Sequence, residues 1–211
     1  KGLDEGQILR AVELLSEGGI PNLKLYFIIG LPTETGADIE EMLALTGRIR
    51  EIWLAAGKKA GHLGTVTLSV NPFIPKPATP LQWAAMAEEK ALERTMRHLR
   101  SAVARIPNTA VAFEPLREAL LQGFLARGDR RVGRLLPALA AGQGLKRACR
   151  EAGLDPAFYL TRERGEAELF PWEVLDSGVE RGYLWREYRR ALTGEATPRC
   201  APGCRRCGVC G

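Results

Sequence analysis

The 211 residues carry a formal charge of +5, with 45% hydrophobic and 26% charged side chains, the balance of an ordinary water-exposed chain with one sizeable core and room for an appendage. No run approaches the roughly 18–20 apolar residues that cross a bilayer, and no signal-peptide pattern opens the chain. Helical membrane proteins are excluded on that count, and a cytoplasmic protein without a membrane partner is expected.

Lys1 stands where a methionine would, and a helix pattern begins almost at once, as though the chain were entered mid-domain. Asp4 caps that helix with Gln7 at the capping-box position; Ile8, Val12 and Leu15 recur at helical spacing, and Gly18-Gly19 stop it. Leu23 to Ile29 is a short, largely apolar run, ended by Gly30 and Pro32, which predicts a strand buried on both faces. Thr35 and Asp38 open a second helix with Ile39, Met42, Leu43, Ile49, Ile52 and Trp53 on its apolar face and Gly57 just past it. Gly64 to Val70 reads as the next strand. Helices and strands alternating at this spacing predict βαβ crossovers in a parallel sheet.

The segment from Asn71 to Pro80 is a stiff extended loop rich in proline. A long helix is expected from about Gln82, with Trp83, Leu92, Met96, Leu99 and Val103 on one face, then a strand at Val111–Phe113 and a helix with Pro115 in its first turn. Short helices follow at about 132–141, 143–153 and 179–192. Three regions result: a β/α region at 1–128, a helical extension at 129–195 and a cysteine-rich tail at 196–211.

Two segments carry candidate chemistry. In Phe27-Ile28-Ile29-Gly30-Leu31-Pro32-Thr33-Glu34-Thr35 a strand ends in a glycine turn before a helix N-terminus, where parallel sheets bind ligands; Gly30 would let a flat ring approach the backbone, and free N–H groups at the helix start would meet a polar group. An ordinary βα turn with a helix cap explains the same residues. In Ser69-Val70-Asn71, the two polar residues share a strand face, and Asn71 stands at the strand's carboxyl end. A turn-initiating Asn-Pro before a stiff connector explains that segment equally.

Taken in order, the Ile-x-Gly-Leu-Pro-x-Glu-Thr turn and the strand running into Pro75-Lys76-Pro77-Ala78-Thr79-Pro80 resemble late strands of the radical S-adenosylmethionine enzymes, in an uncharacterised branch often fused to a cobalamin-binding domain. The segments Leu125 to Val132, Phe170-Pro171-Trp172 with Asp176-Ser177-Gly178, Leu184 to Tyr188 and the terminal cysteines resemble the same branch, so the likeness spans nearly the whole chain. It implies an α/β fold, a partial parallel (β/α) barrel whose strand ends hold S-adenosylmethionine through Ile28, Gly30, Glu34, Ser69 and Asn71. It also implies a parent enzyme that cleaves S-adenosylmethionine with a reduced [4Fe–4S] cluster and attacks an unknown substrate by radical chemistry. The family's Cys-x3-Cys-x2-Cys loop after the first barrel strand is missing. This chain alone is then expected to be inactive, with the N-terminal half of the barrel, and any cobalamin, supplied from outside it.

Four of the five cysteines, Cys200, Cys204, Cys207 and Cys210, crowd within eleven residues, which reads as a thiolate metal site in a reducing compartment rather than a disulfide framework. The first three reproduce the radical-enzyme spacing, but with Arg205 and Arg206 as flanks and beyond the last helix. An auxiliary four-iron cluster, a zinc site and a reduced tail without metal all remain open. Cys149, beside Leu145, Ala148 and Ala152, reads as a buried structural thiol; His62 and His98 lack partners at metal spacing; Arg127, Asp129, Arg130 and Arg131 read as a loop ion-pair cluster, the alternative being a grip on an anionic substrate; Trp172 and Trp185 read as anchors of the helical region, the alternative being stacking on bases. A rival function comes from Arg186, Arg189, Arg190, Arg199, Arg205 and Arg206, which would suit a non-catalytic nucleic-acid module with a zinc-stabilised tail, RNA being the partner.

Overall fold

The computed structural model describes residues 3–61 and 63–209. Helix α1 (Glu5–Glu17) starts on Asp4, whose carboxylate accepts the Gln7 N–H while the Gln7 side chain accepts the Asp4 N–H. Strand β1 (Leu23–Ile29), helix α2 (Gly36–Ala60), strand β2 (Val66–Pro72), helix α3 (Glu89–Val103) and strand β3 (Thr109–Phe113) complete a parallel three-stranded sheet in the order β1-β2-β3. In register, Leu23 lies opposite Val66 and Ile28 opposite Asn71 across β1 and β2, and Val66 opposite Thr109 across β2 and β3. Ahead lie α4 (Leu116–Ala126), α5 (Leu136–Ala140), α6 (Leu145–Glu151), α7 (Pro156–Leu160) and α8 (Arg181–Leu192).

The chain divides into two compact units. One holds the sheet with α1, α2 and α3: the described residues through Gly30, then Glu34–Pro72 and Glu89–Leu116. The other holds Leu31–Thr33, Phe73–Glu88 and the described residues from Arg117 onward. In the sheet unit, Val12 of α1, Ile49 and Trp53 of α2 and Val66 of β2 form a buried cluster with Leu23 and Leu25 of β1 packed on it. The second unit is organised round Trp83, fully buried among Phe73, Phe170, Leu184 and Tyr188. Its ring lies 5.6 Å from Phe170 and 5.1 Å from Trp185, the latter edge to face.

Four expectations are corrected here. The fold is α/β, but it is not a partial (β/α) barrel: the described residues give three consecutive parallel strands, after which the chain forms only helices and loops. Nor is β1 buried on both faces. Its sequence Leu-Lys-Leu-Tyr already alternates; Lys24, Tyr26 and Ile28 are exposed while Leu23, Leu25, Phe27 and Ile29 turn toward the helices. The third helix starts at Glu89, not Gln82. Pro80–Trp83 is one turn of 3₁₀ helix, Ala84 is extended, and the Met86 N–H is taken by the Leu160 carbonyl at 2.8 Å, so the chain cannot continue as a helix there. Helix α2 also runs through Gly57, to end at Gly61 in the left-handed conformation. The short helix α7 and the 3₁₀ turn Pro171–Val174 carry no periodicity long enough to announce them.

Candidate functional site

Register places three of the five candidate residues, Ile28, Ser69 and Asn71, at one end of the sheet. Asn71 is the cross-strand partner of Ile28, and Ser69 is the partner of Tyr26. Period two puts all four on the face that α1, α2 and α3 leave open. Ile28 is 54% and Tyr26 73% exposed there, and Ser69 and Asn71 are half-buried. Gly30 follows directly with φ +77°, a conformation a side chain would strain. Its N–H donates to the Glu34 carboxylate at 2.8 Å. That amide is therefore taken, and Glu34 closes the turn. At the start of α2, the Thr35 N–H and hydroxyl both donate to Asp38, at 2.6 and 2.7 Å, and hold its carboxyl below the ordinary value. What this end of the sheet offers is an apolar surface (Ile28), two uncharged hydrogen-bonding side chains and a glycine without a side chain, which suits a neutral planar ligand better than a phosphate.

The tail lies in the second unit. Cys200 is exposed, Cys204 and Cys207 half-buried, no disulfide joins the described cysteines, and Cys210 lies outside the described residues. Gly203 and Gly208 take φ +78° and +85°, the bends that fold the segment back. The Cys207 carbonyl accepts the Glu180 N–H at 2.8 Å, tying the tail to the start of α8. The Arg206 guanidinium reaches Cys204 Sγ at 3.1 Å and the Pro198 and Arg199 carbonyls at 2.9 Å each. The hydrogen bond from Arg206, with its charge, brings the Cys204 thiol down to about 7. In donor chemistry the tail fits a metal. In arrangement it gathers no group of three ligands among the described residues.

The remaining sequence candidates fall into place as structure. Cys149 is fully buried on α6, and burial raises its thiol. His98 meets Glu40 at 2.7 Å on the surface; His62 lies outside the described residues. The expected loop cluster is split. Arg131 clasps Asp129 through its Nε and a terminal nitrogen, while Arg127 is 1% exposed and binds the carbonyls of Ala84 and Arg162. Burial, with Arg164 and Arg162 nearby, pulls Arg127 down to about 10. Arg190 of the arginine-rich helix pairs with Glu187 at 3.1 Å, and Arg186 reaches the Arg206 carbonyl at 3.4 Å. Three of the six arginines expected to contact phosphates, Arg186, Arg190 and Arg206, thus already have partners within the chain. Sequence reading missed Gln82, 4% exposed, and Glu187, 6% exposed; neither sits in a periodic pattern that would single it out.

The class so defined is an α/β chain with a three-stranded parallel sheet, polar side chains at its carboxyl end and a thiol-rich tail. No family model matches it, and no solved structure does. It is similar to the uncharacterized protein MJ0966 of Methanocaldococcus jannaschii, with 32% identity over 138 residues, 64% of this chain. Those residues cover 28% of that protein, so the chain spans less than a third of its relative's length. No described helix is long and apolar enough to cross a membrane.

Proposed function

We propose that this chain is part of a radical S-adenosylmethionine enzyme and that the carboxyl end of β1 and β2 holds the cofactor's adenosine moiety. The observation that carries the reading is the pairing of Ile28 with Asn71, with Ser69 on the same open face and Gly30 at positive φ beside them. In this reading Ile28 packs on the base, the Asn71 amide and the Ser69 hydroxyl bond its polar edges or the ribose, and Gly30 admits the ring to the backbone. Glu34 fixes the turn by accepting the Gly30 N–H. Bound S-adenosylmethionine would supply one-electron cleavage of a carbon–sulfur bond and, through it, hydrogen abstraction from a substrate; the reducing cluster and any cobalamin belong to residues outside this sequence. The tail thiols Cys200, Cys204, Cys207 and Cys210 would hold an auxiliary four-iron cluster, in keeping with a reducing, cytoplasmic setting.

Calorimetric titration of the folded chain with S-adenosylmethionine tests the reading. Saturable binding is expected, weakened about tenfold by Asn71→Ala, the worth of one hydrogen bond in a desolvated site. Absence of binding at millimolar ligand, in a chain whose circular dichroism is native, sinks it.

A further inference from the structure

The second unit contains a cavity of about 390 Å³, separate from the strand-end residues and within the size range of small-molecule sites. Gln82, Trp172, Arg181 and Asp176 line it, with exposed Val174 and Leu175 at its rim. We propose that this cavity binds a nucleobase.

Gln82 carries the polar part of the argument. Its Oε1 accepts two hydrogen bonds, from the Ala78 N–H at 3.1 Å and from Trp172 Nε1 at 2.7 Å. Both partners are obligate donors, so the amide cannot be flipped, and Nε2 is the end left for the cavity. Nε2 has no hydrogen-bond partner among the described residues, although the side chain is 4% exposed. Nε2 is not among the fully enclosed unpaired atoms, so it is a fixed donor that reaches the open space of the cavity, where a ligand's acceptor would take the place of water.

Trp172 supplies the stacking surface. Phe170 stacks on it at 4.7 Å and 14°, which braces one ring face. The Arg164 guanidinium lies 5.3 Å from Phe170 and 5.6 Å from Trp172. Those three separations form a nearly equilateral triangle, so Arg164 stands beside the stack and not on the far face of Trp172. That face is left for a planar ring. Charge points to a neutral ligand: Arg181 forms an ion pair with Glu173 and bonds the Glu168 carbonyl at 2.8 Å, so it has no spare charge for a phosphate. The Asp176 carboxylate accepts the Gly178 N–H through Oδ1 at 2.7 Å and retains Oδ2 to accept from a ring N–H or amino group. A planar, uncharged ring with an acceptor and a donor on its edge is what a nucleobase presents, whereas an aliphatic ligand would leave Gln82 unpaired.

Titration of the full chain with adenosine, guanosine, cytidine and uridine tests the assignment. At least one should bind saturably, and Trp172→Leu should weaken it about tenfold, within the range measured for base–aromatic stacking. Gln82→Leu also removes the bond to Ala78 and can loosen the loop, so the exposed rim variant Leu175→Asp provides the second arm and should weaken binding while leaving the fold intact. Trp172 and Leu175 both lie outside β1 and β2, so a loss of nucleoside binding in their variants assigns the site to this cavity and not to the strand ends, whatever becomes of the latter. A single-stranded oligomer of the preferred base that binds more tightly than the nucleoside would assign the base to a polynucleotide; equal affinity would assign it to a free nucleoside. No binding at millimolar nucleoside, or binding undiminished in both Trp172→Leu and Leu175→Asp, overturns the proposal.

Discussion

At the scale of single residues, two glycines show how differently the same atom count is used. Gly64 precedes β2 where the chain passes over Pro21, and Trp53 Nε1 donates to the Pro21 carbonyl at 3.3 Å. A Cβ at Gly64 would collide with that carbonyl and stand 3.0 Å from Trp53 Nε1. Gly64→Ala should therefore destabilise the chain by about 1–3 kcal/mol, the usual cost of forcing volume into a packed contact. Gly47, inside α2, meets nothing within 4 Å of an added Cβ. Gly47→Ala should stabilise by about 0.5–1 kcal/mol, because alanine loses less backbone freedom in a helix. Urea unfolding of the two variants checks both signs, and equal shifts in one direction would contradict the geometry. Neither role is legible in the sequence, since Gly64 sits in an unremarkable Gly-Thr pair and its neighbour Pro21 is 43 positions away.

Elements were readable where one periodicity ran long enough to dominate. The Asp4 cap and the 13 residues of α1 are both in the sequence, as are the ends of β1, because a capping box and a Gly-x-Pro stop are local chemistry. The start of α3 was not. From Gln82 the spacing of Trp83 and Leu92 continues the helical pattern, yet Trp83 belongs to another core, held by Phe170 and Tyr188 more than 80 positions on. Helix propensity yields there to tertiary burial. The helical face that remains, Leu92, Leu99 and Val103, is buried. Leu99 is fully buried, and Leu99→Ala should cost about 2–5 kcal/mol by the lost transfer energy and the cavity left behind, read as a lowered urea midpoint with unchanged slope. The candidate strand-end residues were legible for the same reason as β1: period two fixes which side chains share a face. That Glu34 would take the Gly30 amide was not, because a side chain's choice among nearby donors leaves no mark in spacing.

For the molecule as a whole, the charge excess has a consequence inside the second unit as well as on its surface. Arg127 and Arg164 are buried, Arg162 is partly so, and Glu168 faces them, with Asp129 adding to the field at Arg164. Arg162 clasps Glu168 with two hydrogen bonds of 2.7 Å, and Arg164 Nε lies 3.8 Å away. The bonds from Arg162, followed by the field of Arg162, Arg164 and Arg127, hold Glu168 below its ordinary value of 4.5. Between that depressed value and 4.5 the unfolded chain binds the proton that the folded chain refuses, so the stability contributed by Glu168 is present above 4.5 and lost as pH falls through the folded value. Glu168→Gln should destabilise the chain by about 2–3 kcal/mol at neutral pH, less than a fully buried pair would because Arg162 keeps contact with water. The gap between the variant and the parent should narrow as pH drops well below 4.5, where the parent's carboxyl is itself neutral. Urea unfolding of both proteins at neutral pH and in mild acid decides the matter: a gap that stays constant with pH would mean Glu168 acts through packing, and that the buried arginines are compensated by backbone carbonyls alone.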